Sequence, residues 1–398
     1  MAAKRHRLAQ RRKAVGFTQE MLAEQLSVDS TTVRRWESGE ASPQPWIRPK
    51  LARYLQVSVE QLEELLSEAT PVDTASRAPE VDEQHVAAAL ADARRYFDGP
   101  VVDYFHHQLD TCMTGDGEVG PTQTLPKTLG LLRAIEHYGL EVQPAIRREL
   151  LSLGACAAEF VGWLYRDAND LAQAGFWYDR ATEWAQEARD FPMQGYVLLK
   201  KSQMAYDQRD AVRVLTFAQA AQYGPWQLPG AVRAEVTQQE ARGLAMIGEP
   251  ISIIEQKLDD ASRLLTDAPF DEGPCQLGGS FNEGTLALRA ASCYLEAGKP
   301  QQAAALYAQV LADDGLSRRD RGYFLARRAS SLVLAGEPDE AAGTGLEATQ
   351  LASMTTSQRT KQELLRVLEA LKPWRNRPGP RDLREALLTF EATVTNPS

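Results

Sequence analysis

The sequence predicts an all-α protein with a small N-terminal helical domain followed by a much larger array of stacked helix pairs. Three observations lead to this prediction. Apolar residues recur at helical spacing along most of the 398-residue chain, runs of β-branched residues are scarce, and Gly and Pro fall at intervals between the predicted helices. A chain of this length also exceeds what one compact core usually supports, so two structural parts are expected.

Charge is distributed unevenly along the chain. Residues 1–55 carry eleven Lys or Arg against five Asp or Glu, a net charge of +6, whereas the remainder carries −16 and the whole chain −10. A basic module on an acidic body confines electrostatic attraction for phosphate to one end of the chain. The pattern therefore favours nucleic acid as the partner of the N-terminal part alone.

Several classes of protein are disfavoured by what the sequence lacks. No run approaches the roughly 18 apolar residues of a membrane span, and the basic N-terminus has no apolar signal segment, so a cytoplasmic protein without membrane contact is expected. The four cysteines are far apart and no His stands at metal-ligand spacing, so neither a disulfide framework nor a zinc site is predicted. Phosphate-loop, zinc-protease, hydrolase and dinucleotide-binding motifs are missing, and we predict no enzyme, catalytic residue, cofactor or metal.

The segment 4–39 predicts three short helices. The first is basic and ends near Gly16, because glycine commonly follows the last helical turn. Thr18 is expected to cap the second helix and Ser30 the third, since both side chains can accept a hydrogen bond from the first turn. Only the turn 27–29 separates these two helices, so they form a tightly connected pair.

The residues at this pair, GFTQEMLAEQLSVDSTTVRRWESGEASP, resemble the helix-turn-helix of the XRE and phage-repressor family. The following LARYLQVSVEQLEELL is similar to the last two helices of that family, so the resemblance covers about residues 4–67. It implies a five-helix DNA-binding domain over residues 1–67. In such domains the second of the paired helices enters the major groove of double-stranded DNA.

The resemblance also implies which side chains contact DNA. Base edges are assigned to Ser30, Thr31, Arg34 and Arg35, and the DNA backbone to Thr18, Gln19 and Thr32. Arg35 is the strongest candidate for base readout, because a guanidinium can donate two hydrogen bonds to a guanine edge. The alternative for Arg34 and Arg35 is an ordinary solvated charge.

Three other residues of the motif are assigned to structure. Arg12 and Glu37 match a family pair that ties the first helix to the recognition helix. For Trp36 the alternative is stacking on a base, and its spacing from Val33 favours a place in the core.

The rest of the chain is interpreted as a linker, a repeat domain and a tail. Residues 68–83 are rich in Ser, Thr, Pro, Ala and acids, which is typical of a flexible tether, and residues 391–398 are taken as a tail. Between them, residues 84–390 contain the near copies AGKPQQAA at 297–304 and AGEPDEAA at 335–342. Comparable turns recur about every 40 residues, which is typical of stacked antiparallel helix pairs.

These repeats resemble degenerate tetratricopeptide repeats, which implies an α-solenoid whose concave face holds a peptide, a small molecule or a partner protein. Polar residues that interrupt the first helices of the pairs are the candidate effector contacts: Lys200, Gln203, Gln239, Arg242, Asn282 and Arg289. For each of them, solvated surface or bonding between repeats is the more ordinary role. An aromatic pocket involving Trp163 and a charged patch at 318–321 are weaker candidates, for which core packing and a helix-start surface are favoured.

The combination predicts a sequence-specific, homodimeric transcription regulator whose repeat domain mediates dimerisation and binds an effector. Dimerisation is expected because one short recognition helix rarely supplies enough affinity and specificity. The alternative is an adaptor whose repeats bind proteins and whose helix-turn-helix module does not bind DNA.

Overall fold

We analysed a computed structural model of the chain, which describes residues 6–15, 17–26, 28–38, 41, 43–44, 47–55, 57, 62, 65–66, 83–267, 277–313 and 315–395. The chain divides into two compact units, residues 1–80 and residues 81–398. Within the described ranges all regular elements are helices, so the all-α prediction is confirmed. The predicted linker lies outside the described residues except at position 83.

The N-terminal unit contains α1 (His6–Ala14), α2 (Gln19–Leu26), α3 (Ser30–Glu37) and α4 (Arg48–Leu55). Most of the predicted fifth helix lies outside the described residues, although Leu62 and Leu66 are buried in the same core. Leu22 and Leu26, one helical turn apart on α2, pack in that core with Trp36 of α3. Trp36 is only 4% exposed, so its predicted core position is confirmed.

One predicted helix cap is wrong. Asp29, not Ser30, caps α3: its backbone is extended, and its Oδ1 accepts a hydrogen bond from the Thr31 amide at 2.8 Å. Ser30 is already the first helical residue. Both residue types are good caps, and the side chain one position earlier reaches the free amides of the first turn.

The second unit contains sixteen described α-helices: α5 (Glu83–Ala91), α6 (Ala93–Tyr96), α7 (Gly99–Val119), α8 (Pro121–Tyr138), α9 (Pro144–Asp167), α10 (Leu171–Ala188), α11 (Phe191–Asp207), α12 (Ala211–Tyr223), α13 (Gly230–Ile247), α14 (Ile251–Thr266), α15 (Glu283–Glu296), α16 (Pro300–Leu311), α17 (Arg318–Ala335), α18 (Pro338–Thr355), α19 (Gln358–Ala370) and α20 (Pro378–Thr395). A short 3₁₀ helix, Lys372–Trp374, precedes α20. The last helix thus continues to Thr395, into the segment predicted as a tail, and Phe390 on it is buried.

Consecutive helices of this unit pack against each other along the chain, which is the arrangement of a tetratricopeptide-like α-solenoid. The repeat turns found in the sequence all contain a residue with positive φ that reverses the chain: Asn169, Arg209, Gly248, Gly298 and Gly336. After these turns small residues are fully buried where two helices meet, among them Ala174, Ala303 and Ala341. The sequence repeat therefore marks real structural joints.

Aspartates fix the start of three successive helices. Asp170, Asp190 and Asp210 each accept a hydrogen bond at 3.0 Å from the backbone amide three residues later, at the beginning of α10, α11 and α12. A carboxylate at this position satisfies a free amide and interacts favourably with the helix dipole. These caps set where each helix of the array begins.

The first and last parts of the array touch each other, which the sequence does not predict. Arg318 at the start of α17 forms an ion pair with Glu118 at the end of α7, with Nε and Oε2 3.1 Å apart. Ser357, before α19, donates a hydrogen bond of 2.7 Å to the buried Asp167 at the end of α9. The superhelix is therefore closed by direct contacts between its ends.

A buried polar network joins four helices across the interior. The guanidinium of Arg327 on α17 lies 2.9 Å from Glu296 of α15 and 2.9 Å from Glu363 of α19, and it also donates to the hydroxyl of Tyr206 on α11. Tyr206 in turn donates to Glu296 at 2.8 Å. Because Arg327 is only 4% exposed, these acceptors are what compensate its buried charge.

Two further observations concern membranes and cysteines. None of the described helices combines the length and apolar character needed to cross a bilayer. Cys156 is disulfide-bonded, so the expectation of no disulfide is wrong at that position, whereas Cys112 and Cys293 are free thiols. The wide spacing of cysteines in the sequence carries no information about which ones the fold brings together.

Candidate nucleic-acid interface and interior cavity

The exposed face of α3 carries the predicted base-reading side chains. Thr31, Arg34 and Arg35 are exposed, whereas Val33 and Trp36 are buried on the opposite side. Residues three and four apart share one face of a helix, so the three exposed side chains form a continuous surface. The face offers two guanidiniums and a hydroxyl, the groups that bond to base edges in the major groove.

The remaining hydroxyls of α3 are less accessible. Ser30 and Thr32 are half-buried, and the Thr31 hydroxyl donates a hydrogen bond of 2.6 Å to Asp29. The Thr31 oxygen keeps lone pairs that can accept from a base or a water. The arginines therefore carry most of the donor capacity of this face.

Arg12 and Glu37 form a buried ion pair that links α1 to α3. Nε of Arg12 lies 2.6 Å from Oε1 of Glu37 and Nη2 lies 3.2 Å from Oε2, while Nη1 donates to the Phe17 carbonyl at 2.7 Å. Arg12 is 6% exposed and Glu37 is 9% exposed. The two-pronged geometry fixes the orientation of α3, and with it the direction of the exposed face.

Two of the three residues expected to contact the DNA backbone, Thr18 and Gln19, lie at the start of α2, whereas the third, Thr32, lies on α3. Thr18 caps α2, with its hydroxyl oxygen 3.1 Å from the Met21 amide. Gln19 donates one of its two amide protons to Glu37 at 2.5 Å, which leaves the other for a phosphate oxygen. Thr18 and Gln19 border one surface groove, and the cation Lys13, which was not among the predicted contacts, lines the same groove.

The second candidate site is a cavity of about 290 Å³ inside the repeat unit, here called the interior cavity. Its walls come mainly from alternate helices, α7, α9, α11, α13, α15, α17 and α19, which are the inward-facing members of the stacked pairs. Six cationic side chains line it, against three carboxylates: Arg166, Lys200, Arg242, Arg289, Arg319 and Arg359, against Asp116, Glu159 and Asp320.

Four of the six predicted effector residues line the interior cavity: Lys200, Gln203, Arg242 and Arg289. The other two have structural partners. Gln239 is fully buried and accepts a hydrogen bond of 3.1 Å from Arg242. Asn282 caps α15 by accepting from the Thr285 amide at 2.9 Å, so it belongs to a helix terminus and not to the cavity wall.

Several cavity cations have carboxylate partners behind the wall. Arg289 lies 2.5 Å from Glu235, which also accepts from Gln203 at 2.8 Å, and Arg166 pairs with Asp207. Burial acts to raise the pKa of Glu235, but the charges of Arg289 and Lys200 and the hydrogen bonds from Gln203 and Arg289 together outweigh it and lower that pKa below its ordinary value. These side chains are therefore held rigidly before any ligand arrives.

Sequence reasoning missed the cluster of guanidiniums around Trp163. Those of Arg166, Arg319 and Arg359 lie 5.3, 4.8 and 4.7 Å from its ring centroid, and Arg359 also lies 3.8 Å from that of Tyr323. Arg319 belongs to the charged run 318–321, which was expected to be surface. Nothing in the sequence around Arg359 distinguishes it from an ordinary residue of an amphipathic helix.

Comparison with known proteins defines the class of the N-terminal unit. Residues 5–65 match a family model described as a helix-turn-helix domain. The chain thus joins a helix-turn-helix domain, the kind carried by DNA-binding regulators, to an all-helical repeat domain.

Two individual proteins are similar to this chain. Over 58 residues it is 34% identical to the cryptic phage CTXphi transcriptional repressor RstR of Vibrio cholerae serotype O1, which is 15% of this chain and 52% of the repressor. The chain therefore spans about half the length of the curated relative it matches. The crystal structure of Bacillus thuringiensis PlcR in complex with the peptide PapR7 and DNA aligns over 91% of this chain and 98% of that one, at 13% identity and a TM-score of 0.32, too low for structural inference.

Proposed function

We propose that the protein is a sequence-specific DNA-binding transcription regulator whose repeat domain binds an effector. The observation that carries the proposal is the exposed face of Thr31, Arg34 and Arg35 on α3, in a domain whose α1 and α3 are fixed by the Arg12–Glu37 pair. Similarity to a transcriptional repressor over the same region supports it.

In the proposed mechanism, α3 lies in the major groove and its arginines donate to guanine edges, while Gln19 and nearby cations hold phosphates. Two copies of the chain are needed, because specific sites are usually read by paired recognition helices. We propose that the repeat domain mediates dimerisation and binds the effector. An effector changes DNA binding only if it prefers one of two arrangements of that domain.

The decisive experiment is a selection of genomic DNA fragments by the purified full chain, in parallel with Arg34→Lys/Arg35→Lys. Lysine retains the charge but loses the planar fork that bonds a guanine at two points. We expect the wild type to enrich a palindromic motif, and the double variant to lose about 5- to 150-fold in specific affinity for each readout contact removed.

A matched control is Lys372→Ala/Arg375→Ala, which removes two exposed cations from the repeat unit. It should enrich the same motif as the wild type. Enrichment by the arginine-to-lysine variant equal to that of wild type would remove Arg34 and Arg35 from the readout.

Salt dependence separates the regulator from an adaptor that does not bind DNA. Phosphate contacts release counterions, so the logarithm of the affinity should fall linearly with the logarithm of salt concentration. Absence of DNA binding even at low salt would favour the adaptor, and partners of residues 84–390 would then be sought.

A further inference from the structure

The interior cavity contains an arginine with unused hydrogen-bonding capacity. Arg359 is only 9% exposed, and its buried Nε has no hydrogen-bond partner in the described part of the chain. Its nearest carboxylate, Asp167, lies 3.6 Å from Nε, beyond hydrogen-bonding distance. A buried guanidinium has five N–H groups to satisfy, so an acceptor that fits this position would bind strongly.

The surroundings of Arg359 hold it in place. Its guanidinium lies over Tyr323 and beside Trp163, with centroid distances of 3.8 and 4.7 Å. The Arg319 guanidinium lies 4.8 Å from the centroid of the same indole and forms ion pairs with Asp116 and, at 3.7 Å, with Asp320. A planar donor stacked between rings is already ordered, so little conformational entropy is lost when a ligand binds.

Three guanidiniums surround the Trp163 ring, and each has at least one carboxylate within ion-pair distance: Asp207 for Arg166, Asp116 for Arg319 and Asp167 for Arg359. Burial, and the neighbouring charge of Arg359, lower the pKa of the Arg319 guanidinium below its ordinary value. Arg242, another cation of the cavity wall, forms no ion pair with a carboxylate among the described residues. An anion in the cavity would relieve this repulsion and supply the missing acceptors.

We propose that the interior cavity binds a small aromatic or similarly flat organic acid, whose carboxylate or phosphate lies against Arg359 and Arg319. The aromatic walls, which include Phe160, Trp163 and Tyr323, suit a flat apolar body. At about 290 Å³ the cavity has room for a one-ring compound and not for an extended peptide. The proposal rests on the function proposed above, because it names the chemical class of the effector.

The test is isothermal titration of the full chain with three probes: benzoate, phenyl phosphate and benzamide, the neutral analogue of benzoate. We expect at least one acid to bind, and benzamide to bind at least about tenfold more weakly than benzoate or phenyl phosphate, because it lacks the charge-assisted hydrogen bonds. Which acid binds more tightly distinguishes a carboxylate effector from a phosphate.

The matched variants are Arg359→Lys and Arg375→Lys, the second on the exposed surface. Arg359→Lys keeps the charge opposite Asp167 but loses the fork, and it should abolish the preference for the acid over benzamide. Arg375→Lys should retain it. If circular dichroism shows that Arg359→Lys does not fold, Arg319→Lys takes its place, and the wild-type comparison of acid with amide stands without any variant.

Two results would overturn the proposal: neither acid binds at about 10 mM, or benzamide binds the wild type as tightly as the acids do. DNA affinity of the ligand-free chain is measured separately. Acid binding without DNA binding would refute the regulator and leave the anion site standing, and DNA binding without acid binding would do the reverse.

Discussion

Replacing Glu37 by Gln tests how the recognition helix is held. The carboxylate receives two bonds from Arg12, at 2.6 and 3.2 Å, and one from Gln19 at 2.5 Å. The substitution keeps the shape of the side chain but leaves the Arg12 charge, only 6% exposed, without its counterion. Breaking a buried pair in this way costs about 3–5 kcal/mol, which approaches the whole unfolding free energy of a small domain.

Hydrogen exchange measured by mass spectrometry reads this effect locally in the full chain. Amides of α1, α2 and α3 should exchange roughly two to four orders of magnitude faster in Glu37→Gln, while helices of the repeat unit stay unchanged as an internal standard. Glu24→Gln, an exposed change on α2, is the matched control and should leave exchange unaltered. Specific DNA binding should weaken in parallel with the loss of protection.

The double variant Arg12→Met/Glu37→Met sharpens the test. It removes both charges, so it should cost less than Glu37→Gln alone, because no uncompensated ion remains in the core. A cost below about 1 kcal/mol for Glu37→Gln would refute the reasoning, because the Arg12–Glu37 pair would then contribute no more to stability than an exposed salt bridge does.

Two further predictions concern the repeat unit. Burial raises the pKa of Asp167 to about 6, so the folded state holds its proton more tightly than the unfolded chain does. Stability should fall as the pH rises from 4 to 6, by about 2 kcal/mol from this group, and urea denaturation of Asp167→Asn between pH 4 and 7 should show that slope reduced. Gly120 has a φ of +77° and a Cβ there would collide with the Thr355 carbonyl, so Gly120→Ala should lower the unfolding free energy by at least about 2 kcal/mol. Gly130→Ala, where an added Cβ meets nothing within 4 Å, should be neutral or stabilising in the same thermal unfolding experiment; equal losses in both variants would contradict the argument.

Local features of this fold could be predicted from the sequence. The turns of the repeat array and the buried position of Trp36 follow from residue types and helical spacing, which act over a few residues. The cap of α3 shows that residue type alone does not distinguish two adjacent candidates, because Asp29 and Ser30 both suit the capping position.

The interior cavity could be predicted only in part. Lys200 and Arg242 were candidates because they interrupt apolar helix faces. Trp163 and Arg359 lie 196 positions apart in the sequence and meet only because the two ends of the array touch. A sequence pattern that extends over a few residues cannot show that two residues so far apart are neighbours. The arginine cluster of the cavity could therefore be found only from the tertiary structure.

Closure of the array also changes how the repeat unit should respond to damage. In an open solenoid each repeat meets only its neighbours, and a terminal repeat can fray or be deleted at modest cost. Here α17 and α19 contact α7 and α9. Removing a repeat between these contacts exposes two packing interfaces, whereas removing a terminal repeat of an open solenoid exposes one. Unravelling of the array from either side must therefore also break the contacts of Arg318 with Glu118 and of Ser357 with Asp167.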